Sequence, residues 1–297
     1  MSGRMKRFGV AAAFAAALLW FGACGPAWAD TAHHSLWQVK GRQNTVYLLG
    51  SVHILPASEQ LPAELLNAYK AAETVVMEID MDDLDPAAAQ EATLRLGMLP
   101  EGETLEQRLG APIYARVAAR IKELGLDPAL LARFQPWLAA LTLTQLQLKK
   151  LGMDPDSGVE KQLVPLAQAD HKEIRGLETL EEQLGMLAHL SVERQKQFVL
   201  YSLEDTDTLP KELDVMLNAW RTGDAKALAA VLEDEFKQFP ELYRPLTVDR
   251  NRRWIPQLEK MLAEKNNYLV VVGALHLVGH DSVIELLEQR GYQVTQR

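Results

Sequence analysis

Two distant stretches of the chain share one pattern of apolar and polar positions. From Tyr268 the sequence runs "YLVVVGALHLVG" and from Thr45 it runs "TVYLLGSVHILP": an apolar run, a glycine, two residues, a histidine and another apolar residue. Apolar runs of this length between turn residues predict strands buried on both faces. Just upstream, "SLWQVK" alternates before the first run, so Gly41 to Asn44 predict a hairpin turn. After Pro56, Leu65, Leu66, Tyr69 and Ala72 recur at helical spacing and lead into "TVVMEID", read as a strand. The C-terminal end repeats this order. Its helix, "DSVIELLEQR", opens at Asp281 or Ser282 and closes at Gly291, and the strand "YQVTQ" follows. Each end thus reads strand, GxxH turn, helix, strand.

Between the two ends the period changes. "LEQRLGAPIYARVAARIKELG", "WLAALTLTQLQLKKLG" and "LDVMLNAWRTGDAKALAAVLEDEF" are helical in spacing, interrupted by one strand, "HKEIRGLE", and a helix capped near Thr179. The expected fold is mixed α/β, of the α+β class. Its central sheet is built from the two matching halves, and a large, mostly helical insertion spans about residues 84–245. Strand–helix–strand units in succession favour parallel pairs.

The first residues do not belong to that domain. Arg4, Lys6 and Arg7 precede an apolar stretch from Val10 to Phe21 and a small-x-small site at Ala27-Trp28-Ala29. This predicts a signal peptide over 1–29, cleaved after Ala29, with one domain over 30–297. A periplasmic or secreted location follows. Lipoprotein processing at Cys24, in "FGAC", is the alternative. No later segment is apolar enough to predict a transmembrane span in the mature chain. Cys24 is the sole cysteine, so cleavage after Ala29 removes any thiol nucleophile or Cys-based metal site. The 31 basic residues then fall by the three in the leader while all 40 acidic ones remain, a net charge of −12. Such a surface repels phosphate backbones, and no nucleic-acid partner is expected.

Chemistry enters with the two histidines that end strands. His53 and His276 each follow a motif glycine at the carboxyl end of a strand, where open sheets place ligand sites. A two-fold arrangement of the halves would bring both imidazoles to one cleft; capping or core histidines are the alternative. In "VVMEID", alternation puts Val76, Glu78 and Asp80 on one face, and a carboxylate inside an apolar strand needs a partner. Glu178, in "IRGLET", is similar. Two histidines with carboxylates and no cysteine suit Zn, Mn or Co, which activate water for hydrolysis. "HLVGH" lacks the glutamate of a zincin motif, and there is no GxSxG, P-loop or GxGxxG. In "TVDRNRRWIPQLEKML", Arg250 and Asn251 fall in a first helical turn, where positive charge opposes the helix dipole. That placement points to an anionic partner such as Glu78, Glu178 or a substrate carboxylate; a buried salt bridge is the alternative.

Together "LLGSVHILP", "VVMEID", "GLETLEEQL", "RNRRW" and "VVVGALHLVGHDSVIELLEQRGYQV" resemble the TraB/GumN family, from about Trp37 to Val294. These exported bacterial proteins are related to pheromone-shutdown proteins and to the Tiki metalloproteases. For the Tiki branch the resemblance implies a divalent-metal-dependent protease, with a peptide or protein as the expected substrate. It puts His53 and His276 at the GxxH positions, Glu78 at the acidic strand position and Arg250 and Asn251 at an RN pair. Glu160, in "DSGVEKQL", stands where relatives carry an acidic residue. The expectation is a metal held by His53, Glu78 and His276, with Glu178 or Glu160 as general base and Arg250 and Asn251 stabilising the oxyanion or holding a carboxylate. The alternative is a non-catalytic protein that sequesters a peptide or envelope ligand.

Overall fold

The computed structural model describes residues 33–203, 209–237 and 240–297. The expected signal peptide lies outside them. Eight strands occur among the described residues: β1 (Leu36–Lys40), β2 (Thr45–Ser51), β3 (Leu55–Pro56), β4 (Thr74–Met77), β5 (Met153–Asp154), β6 (Glu173–Gly176), β7 (Tyr268–Gly273) and β8 (Val294–Gln296). Six of them form a sheet in the order β6-β4-β7-β2-β1-β8, while β3 and β5 pair separately. The hairpin is present, with β1 antiparallel to β2 and Lys40 opposite Thr45. β2, β7, β4 and β6 run parallel to one another. The fold is mixed α/β with several helices around this sheet, as the apolar patterning requires.

Burial explains the strand order. β7 lies in the interior of the sheet, and Tyr268 to Val272 are all buried, which accounts for its unbroken apolar run. β6 is an edge strand with only Ile174 buried, and the exposed Arg175–Glu173 ion pair blunts that edge. Asn44 in the hairpin turn donates to the carbonyls of Met261 and Asn266 at 2.8 and 2.6 Å, and the Asn267 side chain accepts from Thr45 N–H at 2.7 Å. These bonds tie the start of β2 to the chain entering β7 and fix their register.

Two apolar clusters form. One lies around the sheet and includes Val39, Leu48, Val75, Trp254 and Val270. The other belongs to the inserted helices and includes Leu105, Ile121, Trp137, Leu143 and Val199. The described residues make one compact unit. The helix Asp249–Ala263 buries Trp254, Ile255, Leu258, Met261 and Leu262, at the spacing the sequence implies. The terminal helix Val283–Glu288 is capped by Ser282, whose side chain accepts from the Glu285 N–H, and Gly291 has a φ of +86°.

One expectation needs correction. β4 ends at Met77, so Glu78 is the first residue past the strand and not part of an alternating face. The GxxH turns meet because β2 and β7 are parallel neighbours, with Gly50 opposite Val272 and Ser51 opposite Gly273. Parallel neighbours finish at the same edge of a sheet, which brings the two turns together.

Candidate active site

The carboxyl ends of the parallel strands meet at one edge, and each carries a residue of the site. Past β2 comes His53; past β7, His276; past β4, Glu78; and past β6, Glu178. The motif glycines serve different purposes. At Gly50 a Cβ would lie 3.1 Å from Ala274 Cα, tighter than carbons ordinarily pack, so the glycine helps the two turns approach. At Gly273 a Cβ would lie 3.4 Å from Glu78 Oε1, 3.5 Å from His276 Cδ2 and 3.6 Å from His53 Nε2. The three side chains named from the sequence therefore converge on a single spot in front of Gly273.

Each imidazole is held from behind. Glu160, in the first turn of the helix Val159–Ala169, receives the Ser51 hydroxyl at 2.5 Å and lies 2.9 Å from His53 Nδ1. His53 Nε2 then faces Glu78 Oε1 at 3.9 Å, and 58% of the His53 side chain is open to solvent. His276 Nδ1 is 2.6 Å from Asn251 Oδ1, an acceptor, so the proton sits on Nδ1 and Nε2 carries a lone pair. That lone pair accepts from Arg250 Nη1 at 3.0 Å. Asn251 is fully buried, and its amide also donates to the Asp281 carbonyl at 2.8 Å.

Glu78 and Arg250 occupy the centre. The Gly273 N–H donates to Glu78 Oε1 at 2.8 Å, and Gln183 donates to Glu78 Oε2 at 3.0 Å. Arg250 Nη2 donates to Glu78 Oε2, and also to Glu178 Oε1 at 2.6 Å; Arg250 Nε donates to Glu178 Oε1 at 3.0 Å. The guanidinium lies 4.7 Å over the Trp254 ring, which also packs against His276. Arg253 approaches Glu178 Oε2 at 3.6 Å from the solvent side.

The helix dipole does not account for Arg250. A π-helical turn over Arg244–Val248 runs straight into the helix Asp249–Ala263, and Val248 is itself helical, so Arg250 is not at a free amino end. The carboxylates explain its position instead. Such wide turns are common where a helix re-aims functional side chains.

The charges follow from these contacts. Burial alone would raise the Glu78 pKa, but Arg250, the two histidines and the Gly273 amide outweigh it and bring the carboxyl down to about 2. Burial keeps His276 neutral, with its pKa lowered to about 3 against the pull of Glu78. For His53, desolvation of the inner edge of the ring is outweighed by Glu160 and Glu78, raising it to about 9. Glu160 is lowered, because His53 and Ser51 overcome the penalty of burial.

Two imidazoles, each with Nδ1 held, and a carboxylate make a donor set that fits a divalent ion in type. The spacing differs: among the described residues, no three His, Cys, Asp or Glu side chains are drawn together to ligating distance. Arg250 stands among them. Glu178 is 4% exposed at its side chain, and both its oxygens face guanidinium groups, so it holds arginine more readily than a substrate proton. His280 is 88% exposed and near Glu285, apart from this cluster.

The sequence did not single out Ser51 or Gln183. Ser51 is one of the two x residues before a GxxH histidine, and no pattern distinguishes it. Gln183 directly follows the Thr179–Glu182 capping box, where a polar residue reads as solvent-facing. It instead bridges Glu78 and Glu178.

Comparison with known proteins places these residues in context. A family model described as the TraB/PrgY/gumN family matches residues 35–296. The uncharacterized protein YbaP of Escherichia coli (strain K12) is 30% identical over 246 residues, covering 81% of this chain and 87% of that protein. An uncharacterized protein of Treponema pallidum (strain Nichols) is 24% identical over 276 residues, covering 86% of this chain and 80% of its own length. The metalloprotease TIKI2 of Xenopus tropicalis is 22% identical over an alignment of 335 residues, covering 92% of this chain and 62% of TIKI2. No solved structure matches the chain.

Proposed function

This chain belongs to the TraB/PrgY/gumN family, and from that premise we propose that it is an exported metal-dependent hydrolase acting on peptide bonds. His53 Nε2, Glu78 and His276 Nε2 are its metal ligands. The observation that carries the reading is their convergence on Gly273, with each imidazole oriented through Nδ1. The distant likeness to a metalloprotease supports the reaction class. The basic, apolar and Ala-Trp-Ala succession over 1–29 supports export to the periplasm. When bound, a divalent ion polarises a carbonyl and lowers the pKa of water.

The chain's own residues supply the rest. Ser51 and Glu160 fix the plane of His53, Asn251 fixes the tautomer of His276, and the Gly273 amide holds one oxygen of Glu78. Both carboxylates expected as general base are otherwise engaged, Glu160 with His53 Nδ1 and the Ser51 hydroxyl and Glu178 with Arg250. Arg250, steadied by Glu178 and Trp254, stabilises negative charge on the scissile carbonyl oxygen or holds a peptide carboxylate. Asn251 acts through His276.

The test is metal content and peptide-library cleavage of the mature protein with Mn²⁺, Co²⁺ or Zn²⁺, beside a His53→Ala/His276→Ala double variant. Metal retained by the parent alone, with turnover that needs it, is the expected result. Equally negligible metal in both proteins would end the proposal. Metal or peptide binding without turnover would favour a sequestering protein instead.

A further inference from the structure

Arg250 does more here than pair with one acid. It is 7% exposed, and its fork is divided: Nε and Nη2 lie on Glu178, while Nη2 and Nη1 also reach Glu78 Oε2 and His276 Nε2. Two of the three proposed ligands are thus engaged by a cation that the protein itself provides. The third, His53, has no bond to Arg250 and keeps its open face to solvent.

From this division we infer that Arg250 is a displaceable internal cation: an incoming divalent ion and the Nη1/Nη2 edge exchange at Glu78 and His276. The inference rests on the reading of His53, Glu78 and His276 as ligands. Both cations need the single His276 Nε2 lone pair, which serves only one of them, and both draw on the charge of the one Glu78 carboxylate, whose Oε2 holds Arg250 while Oε1 faces His53. Release need not free the side chain. Nε stays 3.0 Å from Glu178 Oε1, and the guanidinium plane stays on Trp254, 4.7 Å away. The edge that leaves Glu78 then has unsatisfied N–H donors in a buried setting, where an anionic group is the natural replacement. Ion loading therefore creates the site's anion-binding edge. Ion and anionic substrate bind with positive coupling, because each takes what the other gives up.

Mn²⁺ titration by calorimetry tests the exchange without reference to turnover, using the parent, Arg250→Met, Arg250→Lys and Arg253→Met. Methionine keeps the apolar stem over Trp254 and removes the competing cation. Lysine is shorter, lacks the fork, and serves if the methionine variant does not fold. Arg253→Met removes the same charge from the rim, where Arg253 is 3.6 Å from Glu178 and does not bond to a proposed ligand.

Exchange predicts that Arg250→Met binds Mn²⁺ at least tenfold more tightly than the parent, Arg250→Lys lies between them, and Arg253→Met changes affinity by less than about twofold. Equal or weaker Mn²⁺ binding in the Arg250 variants, with the parent still binding, overturns the exchange and leaves the metal reading intact. A gain in Arg253→Met as large as that in Arg250→Met also overturns it, because general charge removal would then suffice. If no protein of the set binds Mn²⁺, the metal reading fails and the exchange falls with it.

Discussion

Gly273→Ala separates folding from function at the point where the site converges. Gly273 has φ −49° and ψ 133°, a conformation alanine adopts without strain. The added methyl would sit 3.4 to 3.6 Å from its three nearest atoms, ordinary contact distances, so no neighbour must move. Lower chain entropy in the unfolded state should then stabilise the protein by about 0.4–1 kcal/mol. The functional consequence is opposite in sign. Glu78 Oε1 and His53 Nε2 are 3.9 Å apart, and the methyl lies 3.4 and 3.6 Å from them. The midpoint between those atoms is therefore about 2.9 Å from the methyl carbon, well inside the usual ~3.5–4.0 Å of carbon contact. Anything held between the two donors collides with it. Urea denaturation should show stability equal to or above the parent, and calorimetry should show Mn²⁺ affinity reduced at least tenfold. A Gly273→Ala protein that binds Mn²⁺ as the parent does would refute the reasoning, because the convergence would then enclose no ligand.

Other substitutions probe the supports. Glu178→Gln leaves the buried guanidinium with one carboxylate in place of two; breaking a buried pair costs about 3 kcal/mol, a fall in melting temperature of roughly 6 °C or more for a chain of this size, measurable by calorimetric scanning. A change below about 1 °C would mean that Glu178 is not the anchor of Arg250. Asn251→Ala strands His276 Nδ1–H and the Asp281 carbonyl, and should cost about 2–4 kcal/mol in urea denaturation. It should also weaken Mn²⁺ binding by freeing the His276 tautomer. Unchanged stability would show that solvent reaches both groups.

The sheet was legible in the sequence because its chemistry is local. A strand buried on both faces must be apolar throughout, as β7 is, and a hairpin needs a turn such as Gly41 to Asn44. The histidines were legible because polar rings at the ends of apolar runs need a reason. Strand order was not, because it depends on which faces fit together: β7, seventh of the eight strands in chain order, lies between β2 and β4. The division of labour among the acids was hidden for the same reason. Glu78, Glu160 and Glu178 are alike in sequence, and only packing puts one before Gly273, one behind His53 and one under Arg250.

The cluster is hard to explain as a device for stability. A guanidinium and three carboxylates lie together in a buried or nearly buried setting beside an imidazole kept neutral. Apolar side chains of similar volume would pack there without the desolvation penalty, and buried ion pairs seldom repay it. The sheet bears that cost where parallel strands end, since the carboxyl edge is where the turns of β2, β7, β4 and β6 all open. The segments that follow β2, β4, β6 and β7 bring His53, Glu78, Glu178 and His276 to the one place where four parallel strands finish together. Had the acids served only to pair with Arg250, one would suffice, and His53 would have no reason to stand with its Nε2 toward Glu78 and its face open to solvent. An arrangement that gathers His53 Nε2, the His276 ring edge and a carboxylate oxygen around one glycine is more than an ion pair with Arg250 requires.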